Sequence, residues 1–71
     1  MVDFVKLKAA ISDSGMTMIA ISSKSGILRE TLYNKLSGKG EFTVSEIEGL
    51  SRTLHLSVGQ RNEIFFAKEV V

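Results

Sequence analysis

Cysteine and proline are absent from this 71-residue chain, and histidine occurs once, at position 55. Without cysteine there is no disulfide, and without a His/Cys cluster there is no zinc site. Helix packing alone must therefore hold a domain of a size at which stability is marginal. A lone histidine, with no glycine-rich phosphate loop, leaves no nucleophile and base to assemble, which argues against an enzyme and against a cofactor or small-molecule substrate. Glu46 and Glu48 stand two apart, on different sides of a helix, and read as capping and solvated residues. No apolar run approaches the roughly 20 residues of a membrane span, and no charged leader precedes an apolar core. The expectation is a soluble, unprocessed, cytoplasmic protein of one domain, residues 1–71, with no membrane partner. Repeats, low-complexity tracts and linkers are also missing. The absence of proline and of any long alternating β-branched run argues against strands, with Glu41 to Val44 the one stretch compatible with local extension.

The net charge is only +1. Its distribution is more informative. From Lys24 to Gly40 four cations, Lys24, Arg29, Lys35 and Lys39, face one acid, Glu30; from Glu41 onward the balance turns acidic. A positive field on one segment is the footprint expected of a nucleic-acid contact.

That basic segment carries a spacing of its own, IAISSKSGILRETLYNKLSGKG from Ile19 to Gly40. Two short helices crossing steeply need a small residue where they approach, and Ser22 supplies one. They also need a residue tolerant of positive φ at the bend, and Gly26 fits. Ile21, Ile27, Leu32 and Leu36 would lock the pair onto the domain, with Ile27 plugging the corner.

On these residues the chain resembles the phage-type repressor and Cro family of helix-turn-helix regulators, which also occurs in mobile elements and bacterial transcription factors. The matching positions are Ser25, Gly26 and Ile27 at the turn, the run Thr31 to Leu36, and Ser37, Gly38 and Lys39 after it. The stretch Glu46 to Phe66 looks like the trailing helices of small phage-derived members. Two positions depart from the family pattern. Ser25 stands where the family usually places an apolar residue, and Leu28 where it usually places a serine-like cap, which leaves the following helix without one.

The flanking signals predict further helices. Asp3 caps a first helix running to Ser14, with Phe4, Leu7 and Ile11 on one face, and Gly15 ends it. Thr17 caps a second helix over Met18 to Ser25, and the third spans about Arg29 to Ser37, closed by Gly38 and Gly40. Thr43 with Glu46 and Ser57 with Gln60 form two capping boxes. Behind them, Val44, Ile47, Leu50 and Leu54 would line one inner face, and Val58, Ile64, Phe65 and Val71 another. The fold class expected is all-α, a compact bundle of about five short helices containing the helix-turn-helix.

The resemblance implies that the third helix enters the major groove with its N-terminal residues toward base edges: Leu28, Arg29, Glu30, Tyr33 and Asn34. Arg29 can donate two bonds to guanine, Asn34 can pair with adenine, Glu30 can accept from cytosine, and Leu28 and Tyr33 can meet a thymine methyl. Phosphate contacts would come from Thr17 and Met18 at the start of the second helix and from Lys24, Lys35, Ser37 and Lys39. Flanking glycines would let the Lys39 side chain and nearby amides reach a phosphate. His55 reads as a helix end or a solvated residue, and Met1, Met16 and Met18 as initiator and filler. The C-terminal segment is apolar on more than one side, which marks Phe66 and Val70 as a dimer interface or as further core. A dimer would read a palindromic operator of double-stranded DNA. The function expected is sequence-specific regulation of transcription. The competing reading is a small helical protein-interaction module such as an antirepressor, whose surface would not require the set Arg29, Tyr33 and Asn34.

Overall fold

The computed structural model describes residues 1–67 and is all-helical over them, without strands. Five helices follow one another: α1 (Phe4–Asp13), α2 (Met18–Ser25), α3 (Arg29–Leu36), α4 (Val44–Thr53) and α5 (Val58–Phe65). Four of them start on a side-chain cap. Asp3 accepts from the Lys6 amide at 3.0 Å, and Thr17 accepts from the Ala20 amide at 3.1 Å. Both capping boxes form, at Thr43 with Glu46 and at Ser57 with Gln60. α3 alone starts without one, because Leu28 occupies its cap and has no oxygen to offer.

Leu7, Ile21, Leu32 and Leu50 are fully buried, and Ile27, Ile47, Ile64 and Phe65 complete the core. Leu36, Ile11, Leu54 and Phe42 pack around it, half-buried. Val44 and Val58 do not join them. Each is the first residue after its cap, and both side chains face solvent. Phe42, in the extended stretch before α4, instead stacks edge-on against Phe65, with ring centroids 5.6 Å apart at 77°. Such pairs contribute about 0.5–1.5 kcal/mol beyond the area they bury.

The two ends of the described chain lie together. The Asp3 amide donates to the Ile64 carbonyl at 2.7 Å and the Ala67 amide to the Met1 carbonyl at 3.0 Å, so α1 and α5 are stitched by backbone as well as by Leu7 and Ile64.

The most extensive helix–helix contact is between α2 and α4. A close backbone approach lies here, between Gly49 and Ser25. A Cβ on Gly49 would stand 2.4 Å from the Ser25 carbonyl oxygen. Ser22 serves the turn instead, its hydroxyl donating to the Ile27 carbonyl. The departure at Ser25 is accommodated in the same place. Its buried hydroxyl donates to the Ser22 carbonyl and accepts from the Ile27 amide, both at a long 3.4 Å, so the polar group is not stranded.

Candidate nucleic-acid interface

α2 ends at Gly26, whose φ of 78° is the left-handed conformation that lets its amide bond the Ser22 carbonyl at 3.1 Å while the chain reverses. Ile27 drops into the core immediately afterwards, and Leu32 follows one turn into α3. These two anchors determine which side of α3 looks outward. Leu28, Arg29, Glu30, Tyr33 and Asn34 are all exposed, Leu28 at 76% and Tyr33 at 52%. On α3 itself, Arg29, Glu30, Tyr33 and Asn34 share one face by their spacing of four and five. An aromatic ring, a guanidinium, an amide and a carboxylate are thus presented together on a helix eight residues long. Glu30 in the first turn and Lys35 in the last complement the helix dipole.

Of the residues expected at phosphates, Thr17, Lys24, Ser37 and Lys39 are exposed and Met18 is half-buried, and Met18 and Ser37 share a groove with Tyr33. Thr17 caps α2, leaving the first-turn amides of Met18 and Ile19 at an open helix end. Lys24 lies against the Met16 sulfur, its ammonium 3.8 Å away. The Ser37 hydroxyl donates to the Asn34 carbonyl at 2.9 Å and closes the end of α3. At Lys39 the geometry is narrower than expected. The amides of Gly38 and Lys39 donate back to the Lys35 and Asn34 carbonyls at 3.1 and 2.9 Å, so they complete the turn and leave the Lys39 ammonium as the group free to reach a phosphate.

Lys35 differs from the rest of the cations. Its ammonium donates to Oε1 of Glu46, and the two side chains are only 16% and 17% exposed. The same carboxylate oxygen accepts the Thr43 amide at 2.8 Å, so one acid both closes the capping box of α4 and holds the last turn of α3. Burial pushes the Glu46 carboxyl up. The Lys35 hydrogen bond, the Thr43 hydrogen bonds and the Lys35 charge outweigh it and hold the group below its ordinary range. Lys35 is therefore a tie between α3 and α4 and not a free surface cation. The partners are 11 positions apart across a loop, a separation at which no helical spacing rule points to a pair.

Phe66 is exposed at the end of α5 and lines a cleft with Met1, Phe4 and Phe42. Val70, the other residue expected at a dimer interface, and Val71 lie outside the described residues. His55 is exposed in the turn after α4 with φ 53°, a helix end adopted without glycine. Among the described residues no three His, Asp or Glu side chains converge as metal ligands, and no helix is long and apolar enough to cross a membrane. Comparison with protein-family models, with curated proteins and with solved structures finds no match for this chain.

Proposed function

We propose that this chain is a sequence-specific, non-catalytic DNA-binding regulator of transcription, similar in action to small Cro-like repressors. The observation that carries the reading is the outward stripe of Arg29, Tyr33 and Asn34 on α3, just past the left-handed Gly26, with Leu32 anchoring the opposite side. Those three side-chain types match what base edges offer: a bidentate donor for guanine, an amide for adenine and an apolar ring for a thymine methyl. Thr17, Met18, Lys24, Ser37 and Lys39 would set the register of the stripe on the phosphates, while Lys35 would act by holding α3 against α4. Regulation follows from occupancy of an operator in competition with other proteins. One short helix reads few base pairs, so two copies on a palindrome is the arrangement we favour, with Phe66 at the contact.

The test is selection of bound duplexes from a random pool. Enrichment of one motif is expected; Arg29→Ala should then relax preference at a single position by about 1–3 kcal/mol, while Lys39→Ala weakens all sequences alike. Failure to retain any duplex at low salt would overturn the reading. It would favour a protein-binding module instead, for which the exposed apolar residues Leu28 and Tyr33 would belong to the contact surface.

A further inference from the structure

We propose that Lys8 of α1 is a phosphate-positioning residue of the same DNA face, an inference that rests on the function proposed above. The two lysines of α1 stand two positions apart, on opposite sides of the helix. Lys6 turns toward α5, where its ammonium lies 3.8 Å from the Glu63 carboxylate. Lys8 turns the other way. It borders an open groove of about 320 Å³ whose remaining walls are Ile11, Met18, Tyr33, Leu36 and Ser37.

Tyr33 and Ser37 continue the Arg29 stripe down α3, and Met18 opens α2, so Lys8 stands beside the far end of the proposed reading face. No acid lines that groove, and Lys8 forms no ion pair among the described residues. Its apolar walls suit the lysine stem, which can lie along them while the ammonium projects to the rim. The last turn of α3 offers no free cation of its own, because Lys35 is held by Glu46. A phosphate passing the Ser37 end of α3 would meet the Lys8 ammonium and the open end of α2 together, and the Ser37 hydroxyl would join them only by giving up its bond to the Asn34 carbonyl.

The experiment measures affinity of the full chain for a mixed-sequence duplex as a function of salt, for the parent, Lys8→Gln and Lys6→Gln, with melting temperatures recorded alongside. Removal of one phosphate contact should flatten the log–log salt slope by about 0.9 for Lys8→Gln and leave it unchanged for Lys6→Gln, at unaltered melting temperatures. A parent that binds with the same slope as Lys8→Gln overturns the assignment of Lys8 while leaving the DNA reading intact. Equal flattening in both variants overturns it as well, since the effect is then one of bulk charge. A parent that binds no duplex at any salt overturns the DNA reading itself, and Lys8 with it.

Discussion

Replacing Gly49 by alanine should destabilise the domain, against the usual direction of glycine-to-alanine changes in helices. The added methyl would stand 2.4 Å from the Ser25 carbonyl oxygen and 3.3 Å from its carbonyl carbon. Contact distances for carbon begin well beyond that, so α2 and α4 must part locally by on the order of 1 Å. Because the obstacle is backbone, no rotamer change relieves it. Overpacking of this kind costs about 1–3 kcal/mol, and better helix propensity returns about 1 kcal/mol. The expected balance is a loss of up to about 2 kcal/mol, or up to roughly 15 °C in melting temperature for a domain of this size. Gly59→Ala is the matched control. A Cβ there meets nothing closer than the Ser57 hydroxyl at 3.9 Å, so propensity should act alone and raise stability by up to about 1 kcal/mol. Thermal and urea unfolding followed by circular dichroism report both. If Gly49→Ala melts at or above the parent, the close approach of α2 and α4 is not what it is described to be.

Three further outcomes are expected. Leu28→Ser supplies the cap that α3 lacks and should add about 0.5–1 kcal/mol in urea unfolding, while lowering affinity for any operator whose thymine methyl Leu28 touches. His55→Gly relieves an exposed left-handed residue at φ 53°; the gain exceeds the added freedom of the unfolded chain by about 0.5 kcal/mol, and a loss of stability would contradict it. Glu46→Gln keeps the capping box but removes the charge. The folded Glu46 titrates below its ordinary value of 4.5, so its stabilisation is full above that pH and is lost as pH falls through the lower folded value. The parent should therefore lose more stability than Glu46→Gln on acidification over that window, and parallel pH profiles would show that the pair with Lys35 contributes nothing.

Helix ends were legible in the sequence because their causes are local. Asp3, Thr17, Thr43 and Ser57 each sit three residues from the amide they accept, and Gly26 carries its turn alone. Exposure of Leu28, Arg29, Glu30, Tyr33 and Asn34 was equally legible, since Ile27 and Leu32 could only be core. What escaped were relations between distant segments. Nothing in the local spacing of Gly49 says that α4 lays its backbone against Ser25 of α2. Lys35 looked like one more member of a basic run because Glu46 was already accounted for as a cap. Val44 and Val58 match the apolar period of their helices, yet no neighbouring element covers them.

α3 gives the interior only one completely enclosed side chain, Leu32. Apart from Leu36 against the core and Lys35 on Glu46, its positions can change with little penalty to the architecture, since the scaffold is secured by other helices. The exposed face of α3 is thus the part of the fold whose chemistry can be rewritten by a handful of substitutions in two helical turns while the framework stays unchanged.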